Sequence, residues 1–169
     1  MASLIISFMA DDRPGLVETL SSIVSEQHGN WLASRMSHLA GKFAGIVQVE
    51  VADKHAQTLF DNIQALEKDG WTINLQKSES KTQAPQACAK LSIVGNDRPG
   101  IVKEVSQALA KLHVNVLELN TQFESAAMTA EALFKTQAEI SLPQGLELTE
   151  VSDELENLSN DLMVEISAA

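Results

Sequence analysis

Asp12-Arg13-Pro14-Gly15 returns as Asp97-Arg98-Pro99-Gly100, 85 positions further along the chain. Setting residues 3–32 over residues 88–117 at that offset gives ten identities, four of them consecutive in this motif. Most other positions pair apolar with apolar residues, such as Leu16 with Ile101 and Leu20 with Val105. A run of identities inside a shared hydrophobic pattern marks a duplication, and each copy can then be read against the other.

Working outward, apolar runs at residues 4–8 and 91–94 precede the motif and read as buried strands. Pro14 and Pro99 are expected in the first turn of a helix, where a missing N–H costs nothing. The helices then follow as stripes, Leu16, Val17, Leu20, Ile23 and Val24 in one copy and Ile101, Val102, Val105, Ala108, Leu109 and Leu112 in the other. The first should stop at His28-Gly29, since glycine is common just beyond a helix end. Second strands begin at Asn30 and Asn115, and third strands cover residues 46–51 and 133–140, where polar and apolar residues alternate. Gly41 and Gly45 should loosen the first connection between these strands, and residues 125–129 should form the second. A second helix carries Leu59, Phe60, Ile63 and Leu66 before Asp69-Gly70, and its counterpart carries Val151, Leu155 and Leu158. Closing strands contain Trp71, Ile73 and Leu75, then Leu162, Val164 and Ile166.

The order βαββαβ, twice, predicts an α+β chain of two tandem ferredoxin-like modules. Each is a four-stranded antiparallel sheet with two helices on one face. The expected domains are residues 1–76 and 90–169. Residues 77–89, poor in apolar content and containing one proline, form the expected linker. Modules this small bury a modest share of their surface, so they should pack on each other or on another chain, and a homo-oligomer is expected.

Composition narrows the function. Hydrophobic residues make up 44% of 169 and charged residues 21%, as in ordinary globular proteins. The formal charge is −11, with seven bases against ten acids in residues 1–85 and five against thirteen in residues 86–169. The bases are scattered singly, whereas a duplex-binding protein offers a basic stripe, so no direct nucleic-acid contact is expected. Cys88 is the only cysteine, which rules out an intrachain disulfide and a cysteine-based zinc site. The apolar run at residues 4–8 is too short for a signal segment or a membrane span, and a cytoplasmic location is expected.

A strand, a tight turn and a helix start gather unpaired backbone N–H groups at one spot, which favours an anion such as a ligand carboxylate. Asp12 or Asp97, just outside the helix, could hold an ammonium group. Gly15 or Gly100 would let a small ligand approach the backbone. Asn30 or Asn115 adds both donors and acceptors. Together these groups suit a zwitterionic amino acid. Asp, Pro and Gly at such a turn also satisfy capping and turn chemistry with no ligand, and spacing alone favours that reading. Arg13 and Arg98 read as surface or rim groups, and His28 and His113 as helix-end residues. No catalytic constellation stands out: His38 and His55 lack an HExxH setting, and no GxSxG or P-loop occurs. Nothing calls for a cofactor or a metal, and no enzyme activity is expected.

Residues 11–17 and 96–102, each between a strand and a helix, resemble the corresponding segment of ACT domains, and the resemblance extends over nearly the whole chain. It implies tandem ACT modules whose amino-acid effector lies beside the loop between strand one and helix one and the start of strand two. By motif those positions are Asp12, Arg13, Pro14, Gly15 and Asn30, and Asp97, Arg98, Pro99, Gly100 and Asn115. The tandem members that this chain resembles are regulators that respond to glycine. They act with a LysR-type transcriptional activator, binding that protein instead of DNA. Control of a metabolic enzyme by an ACT-type regulatory subunit is the alternative. The second copy is longer and more acidic beyond strand two, which puts equivalence of the two sites in question.

Overall fold

The computed structural model describes residues 1–78, 86–125 and 131–169. It divides into two compact units, Met1–Thr82 and Gln83–Ala169. Most of the expected linker and of the connection expected at residues 125–129 lies outside the described residues.

In the first unit, β1 (Ala2–Asp11) leads into α1 (Leu16–Glu26), β2 (Asn30–Leu39), β3 (Lys42–Val51), α2 (Asp53–Gln64) and β4 (Thr72–Lys77). The sheet order is β2-β3-β1-β4, and every pairing is antiparallel. Alternation decides which face is covered. Leu4, Ile6, Phe8 and Ala10 of β1 and Val47, Val49 and Val51 of β3 are buried with Leu16, Leu20 and Val24 of α1 and Leu59 and Ile63 of α2. Both helices therefore cover one side of the sheet. Burying each such Leu, Ile or Val stabilises the fold by about 1.5–3 kcal/mol. Trp71 precedes β4 as a plug, 5.4 Å from Phe8 between ring centres.

The second unit repeats this with β5 (Ala87–Asn96), α3 (Ile101–Lys111), β6 (Asn115–Ser125), β7 (Ala132–Leu142), α4 (Leu148–Glu156) and β8 (Met163–Ala168), in the order β6-β7-β5-β8. Its core joins Leu91, Ile93, Val105, Leu109, Ile140, Val151 and Leu155. Even an irregularity is duplicated. The pairing slips by one residue between Trp31 and Ala33 and between Val116 and Glu118, leaving Leu32 and Leu117 as the extra residues of two equivalent bulges.

Several local expectations are corrected. Strands are longer than their apolar runs, and Ala87, assigned from sequence to the linker, begins β5. Pro14 and Pro99 lie in the turn before the helix, not in its first turn, which opens at Leu16 and Ile101. The left-handed residue closing α1 is His28 (φ 54), not Gly29. The N–H of Gly29 donates to Val24 O at 2.9 Å and that of His28 to Ser25 O at 2.9 Å. His113 (φ 57) ends α3 the same way. Histidine is among the non-glycine residues enriched in this conformation, which is why glycine is dispensable there. Gly29 serves close packing instead: a Cβ would sit 2.9 Å from Val24 Cγ1. Gly45 loosens nothing. It lies inside β3, where a Cβ would come 2.5 Å from Arg35 O.

Candidate functional site

In each unit the central strand delivers the repeated motif to the edge of the core. β1 ends at Asp11, the loop turns through Asp12-Arg13-Pro14-Gly15, and Leu16 starts α1 and goes straight into the core. Gly15 and Gly100 stand at the helix starts with φ 93 and 94, a left-handed conformation that glycine adopts without steric cost. Gly15 O accepts bonds from Thr19 N–H and Thr19 Oγ1, both at 2.9 Å. Neither Asp12 nor Asp97 accepts a hydrogen bond from a helix N–H among the described residues, so capping does not account for either aspartate. Asp12, Arg13, Pro14, Gly15, Asp97, Pro99 and Gly100 are exposed and Arg98 half-buried. A cleft of about 560 Å³ beside the first loop is lined by Arg13, Pro14, Gly15, Thr19, Leu66 and Trp71.

The neighbours of the two loops differ. In the first, Asp12 Oδ2 lies 2.6 Å from Nδ1 of His38, a residue near the end of β2. The Asp12 N–H donates to Gly41 O in the β2–β3 hairpin at 2.9 Å. Lys42 pairs with Asp11 and holds that carboxyl below its usual range, chiefly by hydrogen bonding. In the second, the Arg98 guanidinium forks onto Glu104 of α3 at 2.9 and 2.6 Å. That fork raises the Arg98 pKa and lowers that of Glu104, the hydrogen bonds being the main cause. Asp97 N–H donates to Ala132 O at 2.8 Å, and its carboxylate has no hydrogen-bond or ion-pair partner among the described residues.

Asn30 and Asn115 are not brought to these loops within one unit. Asn30 pairs with Glu50, and Glu50 with Ser3, at the start of β1, whereas the loop follows Asp11 at its end. At about 3.3 Å per residue that is a separation of roughly 25 Å along the sheet. Asn115 stands likewise, through Ser141, beside Cys88 at the start of β5. Sequence reasoning missed His38 and Glu104. The signal was present: the same 85-residue offset sets His38 against Phe123 and Thr19 against Glu104.

Elsewhere, a cleft of about 580 Å³ lies on the open face of the second sheet, among Lys90, Ser92, Glu118, Asn120, Gln137 and Glu165. Among the described residues no cluster of three His, Cys, Asp or Glu is arranged to hold a metal ion. No helix there is long and apolar enough to cross a membrane.

Residues 2–73, essentially the whole described first unit, match the model of the ACT domain family. The first unit is an ACT domain. The second repeats the ACT topology and motif, giving the chain a tandem ACT fold. A crystal structure of a protein of unknown function from Galdieria sulphuraria is similar over 99% of this chain and 98% of its own, at 28% identity and TM-score 0.84. A proposed glycine cleavage system transcriptional repressor covers 99% and 98% at 14% identity and TM-score 0.72, a likeness of tandem ACT fold. No curated protein matches the chain.

Proposed function

We propose that this chain is an amino-acid-responsive regulator, a transcriptional co-repressor of the glycine cleavage system that works through a protein partner and not by touching DNA. The observation that supports it most is the duplicated loop. Each copy offers an exposed aspartate with no capping duty beside a helix start, where the first-turn N–H groups have no partner within the helix. Those are the two halves of a receptor for a small zwitterion, and glycine is the effector we propose. The acidic charge of −11 suits a protein partner, for which a LysR-type activator is proposed. A cytoplasmic location and a homo-oligomer belong to the same reading. For the oligomer, the support is β6, an edge strand exposed along its whole length, with Leu119 47% and Phe123 67% accessible.

Thermal unfolding with and without glycine tests the effector. At a hundredfold excess over Kd a ligand specific for the folded state adds about 2.7 kcal/mol, read as a rise in Tm. No rise with glycine, at any concentration up to tens of millimolar, would sink the effector part of the reading. Co-purification of the full chain with a LysR-type activator tests the partner.

A further inference from the structure

Trp71 is only 4% exposed, yet its indole N–H has no acceptor among the described residues. A buried indole N–H ordinarily finds one. No side-chain nitrogen or oxygen among those residues is both sealed from solvent and unpaired, so this N–H opens outward. The cleft that Trp71 borders is the one of about 560 Å³ on the β4 side of the first loop. Asp12 and His38 do not line it and meet each other on the β2 side. Arg13 does line it, and makes no hydrogen bond or ion pair among the described residues. Two donors, one of them a cation, thus border one cavity with nothing in the chain to donate to.

The second unit displays the missing partner. The 85-residue offset sets Arg13 against Arg98 and Thr19 against Glu104, and Trp71 and Leu162 each stand just before the closing strand. Glu104 lays its carboxylate on Arg98 as a fork of two bonds, 2.9 and 2.6 Å. Thr19 has no carboxylate to offer and turns back to Gly15 O at 2.9 Å. Acidic neighbours do not forbid such a fork. Asp161, in the connection before β8, acts on both of its members without displacing Glu104. Asp69 lies in the corresponding connection before β4, and Glu18, the other acid bordering the cleft, accepts from Ser22 Oγ at 3.1 Å. Those two negative charges favour a single carboxylate over a di- or triacid. Pro14 and Leu66 offer the rest of a ligand an apolar wall.

We propose that this cleft of the first unit binds a small monocarboxylate, whose oxygens accept from Arg13 and the Trp71 indole N–H as Glu104 accepts from Arg98. The second unit carries its carboxylate built in; the first takes one from solution. The site is separate from the receptor proposed at Asp12 and stands whether or not glycine binds there.

Butyrate is the probe, and butyramide, its uncharged isostere, the control. In heteronuclear NMR titrations of the full chain the indole N–H resonance of Trp71, identified by its loss in Trp71→Phe, reads the site directly. Butyrate is expected to move it and leave that of Trp31 still, and butyramide should act at least about tenfold more weakly. Arg13→Gln, at an exposed position, should weaken butyrate about tenfold or more. Thr19→Glu should supply the carboxylate internally, moving the resonance with no butyrate present and removing the response to it. The proposal is overturned if butyrate at tens of millimolar leaves the Trp71 N–H still, if butyramide matches it, or if Arg13→Gln responds as wild type does. It is overturned equally if Thr19→Glu changes neither the resonance nor the response. Glycine is titrated in parallel: a Trp71 shift with glycine and none with butyrate would make the cleft part of the amino-acid receptor and would also overturn it.

Discussion

His38 lies on Asp12, Nδ1 to Oδ2 at 2.6 Å, and so fastens the end of β2 to the loop that follows β1 across 26 residues of sequence. Both side chains stay open to solvent, 59% and 40% accessible, and exposed pairs of this kind contribute about 0.2–1 kcal/mol. His38→Ala and Asp12→Ala should each lower stability by about 1 kcal/mol or less, with a coupling in that range from the double-mutant cycle. Urea denaturation of the four proteins measures it. A coupling above roughly 2 kcal/mol would mark the contact as a determinant of the fold and not a local feature of the loop.

The Arg98–Glu104 fork carries a pH signature. Because Arg98 lowers the folded pKa of Glu104, the pair stabilises the fold above the unfolded carboxylate value. That contribution disappears as pH falls through the lowered one. Glu104→Gln should therefore melt below wild type near neutral pH, and the two curves should converge on acidification below about pH 4. A difference that stays constant or grows into acid would contradict the fork as the source.

Glycine positions separate strain from overlap. At Gly15 a Cβ meets nothing within 4 Å but the φ of 93 disfavours any side chain, so Gly15→Ala should cost about 1–2 kcal/mol. Gly100→Ala, at φ 94, should cost the same within error. At Gly45 the backbone is ordinary strand, but the Cβ would lie 2.5 Å from a carbonyl oxygen and 2.7 Å from Met36 Cγ. Gly45→Ala should cost more than either, because a paired strand cannot retreat without opening its ladder. Denaturant midpoints order the three, and a Gly45 variant as stable as wild type would overturn the packing argument.

The architecture was legible because two periodicities were written twice. Leu4, Ile6 and Phe8 share one face of β1, and Leu16, Leu20 and Val24 share one face of α1; the second copy repeats both patterns. What could not be read was where strands end relative to one another. Asn30 begins β2 and resembles a neighbour of the motif, yet an antiparallel strand beginning at one end of the sheet reaches the loop only at its other end. That is why His38 and not Asn30 meets Asp12. Gly29 misled for a similar reason: glycine near a helix end suggests a left-handed cap, but the packing of Val24 and Val49 around it was invisible, and His28 took the cap. The fork on Arg98 depends on a single difference between copies, Thr19 against Glu104, whose weight only the folded loop displays.

The last prediction concerns nucleic acid. Duplex DNA presents one negative charge per about 1.7 Å of axis, and proteins that bind it neutralise several phosphates with neighbouring bases. Here four of the twelve bases are paired with acids of the same chain among the described residues. Of the five in residues 86–169, Arg98 pairs with Glu104, Lys111 with Glu154 and Lys135 with Glu124, all within 2.6 Å, leaving Lys90 and Lys103. In residues 1–85 Lys42 is taken by Asp11, and the others are scattered along the sequence without a run. Excess negative charge adds a repulsion that grows as salt is lowered. The purified chain should therefore leave duplex DNA unshifted in a gel assay at about 150 mM salt, and dilution to about 50 mM should not rescue binding. A shift by the chain alone that weakens steeply with added salt would mean the two units combine their bases into a patch, and would sink the proposal that repression runs through a protein partner.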